Sequence, residues 1–417
     1  MESENSDIHL LRDLANQYAE IAAKPIQEER RDLWRKHLSL KKTRPPVLIT
    51  FGLHNVWCRD VFASHRMACK DPFWRRYERW LRMEIFHDSI GDDYICEPWI
   101  PQYAVVKSSR GIYGEAWDMG PKFLRTGDTG GSFKWASPIS NWEKMANLKA
   151  PVHEIDEVAT KENYQRLKDA IGDILEIDLI RSPVLTHFAG DISTTITALR
   201  GLEQLMLDMY DYPDQLRELL SRLRDGIQKN QDEAEQAGDF SLTSQHNQQM
   251  TYAEELELLK PNSGPRKREE LWGFFAAQEY ALISPAFHDE FMLQYQLPLM
   301  GNYGLVHYGC CEDLTGKIDM LRQVPNLRSI AVTPRADVRK SAEQIGQDYV
   351  MSWRPNPTDM VCTHWRPDLV QSIISDGAKA CQDSIYHIHL KDVETVQGEP
   401  ERLQRWTQLV QSTLESI

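Results

Sequence analysis

Short apolar segments alternate with amphipathic helical segments through the second half of the chain. From about residue 178 onward, apolar stretches such as Leu327–Val332 and Ile385–Leu390 are each followed by residues with helical spacing, for example Pro367–Cys381. This alternation is typical of right-handed βαβ units and a parallel sheet. The roughly seven or eight units predict an α/β fold of the closed (β/α)8 TIM-barrel type, with strands also expected at Arg181–Phe188 and Phe240–Ser244.

The first part of the chain has a different pattern. Helical spacing of apolar residues continues to about residue 43, a strand is expected at Val47–Phe51, and Gly52–Arg59 is a polar and aromatic loop. Asp71 is predicted to cap a helix that has Pro72 at its first position. Irregular β-structure is expected over residues 93–140. We therefore divide the chain into an N-terminal extension, residues 1–150, packed on a barrel domain, residues 151–417.

Composition and charge narrow the class of protein. The net charge of −14 over 417 residues argues against nucleic acid or an anionic membrane as the main partner. No apolar run approaches the ~20 residues that span a bilayer, and Met1–Asp7 is too acidic for a signal peptide. Seven cysteines scattered through a long chain do not suggest a disulfide framework. A cytoplasmic protein is the expectation. No glycine-rich phosphate fingerprint opens a helix, which weakens a nucleotide-binding open sheet.

The polar residues at the ends of the predicted strands are the candidate functional residues, because barrel enzymes carry their chemistry at the carboxyl ends of the strands. The segment Gly304–Asp313 delivers an imidazole and two thiols within five residues, a set that suits zinc. The predicted metal ligands are His307, Cys310, Cys311 and His389. The predicted catalytic carboxylates are Glu312 and Asp392. The predicted substrate-binding residues are His187, His246, Asn247, Arg335 and Arg354.

Each of these assignments has a plainer alternative. His307 followed by two cysteines also suits a buried core, since free cysteine is among the most buried residue types. His246 lies among glutamines and suits a solvated loop equally well. Arg335 and Arg354 suit either surface charges or the binding of an anionic substrate group.

Two stretches carry a family resemblance: His307–Glu312, with the sequence His-Tyr-Gly-Cys-Cys-Glu, and Leu390–Val396, with Leu-Lys-Asp-Val-Glu-Thr-Val. With them, residues 180–417 resemble the uroporphyrinogen decarboxylase superfamily, in particular its cobalamin-dependent methyltransferase branch, which includes proteins labelled trimethylamine corrinoid protein. The resemblance implies a (β/α)8 barrel. It also implies zinc-assisted transfer of a methyl group between a small substrate, a methoxylated aromatic or a methylated amine, and a cobalamin on a corrinoid-binding partner protein.

The chain also departs from that branch. Its zinc-binding members have His-x-Cys in this strand and a second cysteine near the last strand, whereas this chain has His307-x-x-Cys310 and no cysteine near Leu390. Either the third ligand is an imidazole or a carboxylate, or the metal has been lost or moved. No Asp-x-His-x-x-Gly corrinoid-binding motif occurs, so the cobalamin is expected on the partner. The alternatives are a metal-free decarboxylase of the same superfamily and a non-catalytic binding barrel.

Overall fold

A parallel sheet that curls into half a barrel forms the centre of the protein in the computed structural model, which describes residues 2–50, 60–111, 114–120, 122–125 and 133–417. The predicted loop Gly52–Arg59 lies outside these residues. In chain order the strands are β1 (Val47–Ile49), β2 (Trp99–Tyr103), β3 (Lys122–Arg125), β4 (Phe133–Ala136), β5 (Glu176–Ile180), β6 (Trp272–Phe275), β7 (Leu305–Tyr308), β8 (Leu327–Val332), β9 (Val350–Trp353) and β10 (Ile385–Leu390).

The main sheet has six strands in the order β1-β10-β9-β8-β7-β6, and every neighbouring pair is parallel. The described residues also form two small, separate sheets: β2 pairs with β5 in parallel, and β3 pairs with β4 antiparallel. Since β1 comes from the first 50 residues, the N-terminal part of the chain supplies one edge of the main sheet. All six strands end on the same side, where their carboxyl ends bring distant residues together.

Helices surround this sheet and connect its strands, as expected for βαβ units. The α-helices are α1 (Glu2–Ala22), α2 (Ile26–Leu38), α3 (Pro72–Ile90), α4 (Glu157–Ile171), α5 (Ser193–Arg200), α6 (Leu202–Asp211), α7 (Pro213–Ala237), α8 (Pro285–His288), α9 (Gln294–Met300), α10 (Ile318–Leu321), α11 (Val338–Ile345), α12 (Pro367–Ala380) and α13 (Glu401–Glu415). Single π-helical turns cover Asp289–Leu293 and Thr358–Cys362. Short 3-10 turns lie at Ser64–Arg66, Glu115–Trp117, Trp142–Asn147, His187–Gly190, Leu242–Ser244, Arg268–Glu270 and Gln278–Tyr280.

The predicted start of α3 is confirmed. The Asp71 side chain accepts a hydrogen bond from the Phe73 N–H at 2.8 Å, and Pro72 occupies the first helical position, where its missing N–H costs nothing. The helix ends at Gly91, whose φ of 77° is left-handed. None of the described helices is both long and apolar enough to cross a bilayer.

The sheet is not the closed eight-stranded barrel that the sequence pattern predicts. Arg181–Phe188 is not a strand, because Pro183 lacks an N–H for a central ladder and His187 adopts a φ of 53°. Phe240–Ser244 is not a strand either, because its hydroxyls bond locally: Ser244 Oγ accepts from the Ser241 N–H at 3.0 Å. Both segments instead form short 3-10 turns.

The inside of the half-barrel carries buried histidines as well as apolar side chains. His37 of α2 reaches in from the amino ends of the strands, and its Nε2 lies 3.1 Å from Nδ1 of His387. The other ring nitrogen of His387, Nε2, lies 2.9 Å from the Ser352 hydroxyl. Burial lowers the pKa of His37 to about 3 and that of His387 well below its ordinary value. Both rings are therefore neutral at pH 7.

Candidate functional site

A sharp turn after β7 shapes the candidate site. Gly309 has a φ of 105°. A Cβ there would lie 2.8 Å from Leu314 Cδ1 and 2.9 Å from Ala331 Cβ, so both the angle and the space require glycine. The turn directs Cys310 and Cys311 toward the carboxyl ends of the neighbouring strands.

The Glu312 carboxylate holds this turn in place through hydrogen bonds to its backbone. It is fully buried, and its two oxygens accept backbone N–H groups from Ala277 at 2.8 Å, Cys310 at 2.8 Å and Cys311 at 3.0 Å. Glu312 was predicted as a catalytic residue. These contacts place it as the group that positions the two thiols, with each oxygen already engaged by the protein.

The two thiols form a close pair. Cys310 Sγ lies 3.4 Å from Cys311 Sγ, and the Gln248 side-chain amide donates to Cys310 Sγ at 3.2 Å. Hydrogen bonding from Cys311, aided by the charges of Lys391 and Arg354, lowers the pKa of Cys310 to about 7 against the effect of burial. The shared hydrogen bond and burial raise the pKa of Cys311. Cys310 therefore titrates near neutral pH, and Cys311 keeps its proton.

We expect the reaction of Cys310 with a small methanethiosulfonate to follow a pH curve with a midpoint near 7, below the value of about 8.5 for an ordinary thiol. Cys311→Ala removes the hydrogen bond and shifts this midpoint upward. Tandem mass spectrometry at several pH values reads the modified position. Cys381 is the internal control, since burial raises its pKa to about 12. A midpoint unchanged by Cys311→Ala would contradict the pairing.

Arg354 connects the turn to the interior of the sheet. This fully buried guanidinium donates through Nη1 to the Cys310 carbonyl, and its Nη2 lies 3.1 Å from His307 Nε2. His307 Nδ1 lies 2.6 Å from Ser329 Oγ, which also accepts from the Gln249 amide at 2.7 Å. Burial, followed by the charge of Arg354, lowers the pKa of His307 well below its ordinary value. His307 is thus a neutral, fully engaged ring.

A second cation lies at the opening of the site. Lys391 Nζ is 2.5 Å from Asp392 Oδ2 and 3.9 Å from Cys311 Sγ. Asp392, which has a left-handed φ of 57°, also lies 3.8 Å from Cys311 Sγ through Oδ2. The predicted catalytic carboxylate is therefore at the thiol pair, already paired with an ammonium group.

The other predicted residues are more dispersed. His389 Nε2 lies 3.0 Å from the Thr50 hydroxyl, and His389 Nδ1 is buried with no hydrogen-bond partner among the described residues. His187 and His246 pack on each other with ring centres 3.8 Å apart. Asn247 bonds within its own turn, donating to the Met250 carbonyl at 3.3 Å. Arg335 is exposed in the loop after β8.

The predicted zinc ligands do not form a zinc site in the described part of the chain. No three histidine, cysteine or carboxylate side chains there are placed to hold one metal ion. His307 has both ring nitrogens engaged, one of them by a guanidinium. Lys391 lies beside Cys311 Sγ and Arg354 bonds the Cys310 carbonyl, and both charges would oppose a divalent ion at the thiol pair. As placed in the described residues, these donors do not fit a zinc ion.

Aromatic rings form one wall of the site. Cys310 packs in a buried cluster with Phe274 and Ala276, and Phe188 packs against it. The Phe188 and Phe274 rings meet edge to face at 5.0 Å, and Phe274 lies nearly parallel to the His307 ring at 5.9 Å. The thiol is therefore at a boundary between an aromatic surface and a cationic one.

Sequence reasoning did not assign roles to several of these residues. Gln248 donates to the Cys310 thiol, Ser329 bonds to His307, and Gln249 donates to Ser329. Phe274 lies beside both Cys310 and His307. Ser329 was identifiable in principle, since it is directly opposite His307 in the parallel register of β7 and β8. Lys391 was next to a predicted residue and was not selected.

Comparisons with known proteins give little further guidance. No protein-family model and no curated protein matches the sequence. Among solved structures the chain is similar to a methyltransferase from Methanosarcina mazei, with a TM-score of 0.49 and 9% identity, over 93% of this chain and 98% of that one. A likeness this weak leaves the function to be argued from the site.

Proposed function

We propose that the protein is a methyltransferase that removes the methyl group of a methoxylated aromatic compound and passes it to a cobalamin carried by a partner protein. The observation that supports this proposal is the position of Cys310, between the Phe274 and Phe188 rings on one side and Lys391 and Arg354 on the other. An arene ring suits the first surface, and an oxygen that becomes negative suits the second.

Breaking the O–CH3 bond requires help for the leaving oxygen. The electron pair of that bond would stay on the oxygen as a phenolate, and a reduced corrinoid, when bound, would supply the nucleophile that accepts the methyl group. Cys310 in its S–H form donates a proton to the phenolate oxygen and becomes a thiolate. A general acid works best when its pKa is near the working pH, and the pKa of Cys310 is about 7.

The two cations supply the positive charge that a Lewis-acidic metal ion would otherwise provide for the leaving oxygen. Lys391 is near the thiol pair, and Arg354 is held rigidly by the Cys310 carbonyl and His307. Fixed positive charge in a site of low polarity stabilises both a developing phenolate and the Cys310 thiolate that remains after proton transfer.

The same charges favour a methoxyarene over a methylated amine. A methylated ammonium donor is itself a cation, and the charges of Lys391 and Arg354 would oppose its binding. It also leaves as a neutral amine, which needs no proton from Cys310. The cationic surface and the acidic thiol therefore both have a use only when the leaving group is an oxygen anion.

The test measures phenol release from a methoxybenzoate in the presence of chemically reduced free cobalamin, by chromatography, between pH 6 and 9. We expect release to decline by about tenfold per pH unit above the pKa of Cys310 as the S–H form is lost. Cys310→Ser should lower the rate by about 100-fold or more and abolish its decline with pH. Cys362 is another buried cysteine, and Cys362→Ser should leave both the rate and its pH dependence unchanged. Turnover of trimethylamine instead, release of carbon dioxide, or an unchanged rate in Cys310→Ser would contradict the proposal.

A further inference from the structure

A second cavity, away from the thiol site, lies between the N-terminal helices and the β2–β5 sheet. Its volume is about 240 Å³. Its aromatic lining consists of Tyr18, Trp80, Tyr94, Trp99 and Tyr103. Its acidic lining consists of Glu84, Glu97 and Asp178. None of these residues belongs to the site at the end of β7, so the cavity needs its own explanation.

Only one of the three carboxylates is neutralised by a protein cation among the residues that the structure describes. Arg31 binds both oxygens of Glu97, at 3.2 and 2.8 Å. Glu84 has the Tyr94 hydroxyl as its hydrogen-bond partner, at 3.2 Å, and makes no ion pair within the described ranges. A carboxylate in an aromatic pocket without a cation is costly, and burial raises the pKa of Glu84 accordingly.

Asp178 is a second carboxylate of the cavity lining that makes no ion pair among the described residues. The residue is 0% exposed. Its Oδ1 accepts from the Asn262 N–H at 2.8 Å, while Oδ2 is buried with no hydrogen-bond partner of normal geometry in the described chain. Burial raises the pKa of Asp178, partly offset by the Asn262 N–H and the nearby Thr243 hydroxyl. The Thr243 hydroxyl lies against this carboxylate, and Asp178 has no accessible surface, so it contributes negative charge to the cavity wall and no free acceptor.

The aromatic walls are held rigidly. Tyr18 and Trp80 meet edge to face with ring centres 5.2 Å apart, and the Tyr18 hydroxyl donates to the Glu97 carbonyl at 2.8 Å. Tyr94 stacks on His87 at 3.8 Å. Aromatic faces attract cations, and tryptophan does so most strongly. Rigid rings bind such a ligand with little loss of conformational entropy.

We infer that this cavity binds a small organic cation, a quaternary ammonium or a protonated tertiary amine, between the aromatic rings and the carboxylates of Glu84 and Asp178. A hard metal ion would need about six or more oxygen ligands, and the described residues contain no cluster suited to a metal. A large, weakly hydrated cation needs few oxygens and benefits from apolar walls. This inference is independent of the methyl transfer proposed above.

The test uses tetramethylammonium chloride and tert-butanol, a neutral molecule of similar shape, with the full-length protein. Titration calorimetry is combined with the change in intrinsic tryptophan fluorescence, to which Trp80 and Trp99 in the cavity wall contribute. We expect tetramethylammonium to bind and tert-butanol not to bind. Glu84→Gln and Asp178→Asn should each weaken tetramethylammonium by about tenfold or more, whereas Glu203→Gln, at an exposed position, should have no effect.

Three results would overturn the inference. They are no binding of tetramethylammonium at millimolar concentration, equal binding by the wild type and both cavity variants, or equal binding of tert-butanol. Thermal melts show whether each variant is folded. If Asp178→Asn is unfolded, Trp80→Leu takes its place, since Trp80 is only partly buried. That variant should weaken the cation and leave the melting temperature close to that of the wild type.

Discussion

Glu312→Ala is expected to lower the free energy of unfolding by about 3 kcal/mol or more, because it leaves two buried amides and one partly buried amide without an acceptor. The N–H groups of Ala277, Cys310 and Cys311 all donate to this one carboxylate. A buried donor that loses its partner costs about 1–3 kcal/mol, and the total is reduced where water enters the space. Urea unfolding at pH 7 measures the change.

The matched control is Glu290→Ala. Glu290 is exposed and pairs with Arg217 at 2.6 Å, and exposed ion pairs contribute about 0–1 kcal/mol. A loss for Glu312→Ala as small as that for Glu290→Ala would show that the turn after β7 does not depend on the carboxylate. In the same variant the pKa of Cys310 should move, because the turn that pairs it with Cys311 loses its support.

His37→Gln is expected to change the pH dependence of stability by about 2 kcal/mol between pH 7 and pH 5. The folded protein holds His37 neutral down to a pKa of about 3, whereas the unfolded chain binds a proton below about 6.5. The unfolded state therefore binds more protons in this window, and the wild type loses stability as the pH falls, by up to about 1.4 kcal/mol per unit from this residue. A glutamine at position 37 does not titrate, so the variant does not lose stability in this way.

We expect the difference in the free energy of unfolding between the wild type and His37→Gln to narrow as the pH falls. At pH 7 the variant is less stable, since it disturbs the contacts of His37 with Thr43 and His387. By pH 5 the difference should shrink by about 2 kcal/mol or change sign. Urea unfolding at the two pH values measures it, and His9→Gln, at an exposed position, is the control. A difference in stability that is the same at pH 7 and pH 5 would mean that His37 is protonated in the folded protein over the same pH range as in the unfolded chain.

Strands with clear apolar runs were predictable from sequence, but two of the segments predicted as strands do not form strands. β7, β8, β9 and β10 lie where the alternation of apolar and helical segments places them. Arg181–Phe188 and Phe240–Ser244 are equally apolar in part, but a proline and a set of hydroxyls withdraw their backbone from a ladder. The pattern of apolar residues along the chain does not show that local hydrogen bonds or a proline will keep a segment out of a sheet.

The site was predictable in its residues more than in their roles. Cys310, Cys311, Arg354 and Asp392 do meet at the strand ends. Their partners, however, are set by tertiary contacts between residues 44 to 81 positions apart in the chain. Spacing suggested a metal for the thiols, and only the three-dimensional arrangement shows that an ammonium lies beside Cys311 and that a guanidinium bonds the Cys310 carbonyl.

In the proposed mechanism, protein cations and an acidic thiol activate the leaving oxygen without a metal. The most direct measurement is phenol release from a methoxybenzoate, with reduced cobalamin, by protein dialysed against a strong chelator. We predict that the dialysed wild type keeps its rate and that Cys310→Ser, treated identically, loses it. A rate that disappears on dialysis and returns with added zinc would contradict the account.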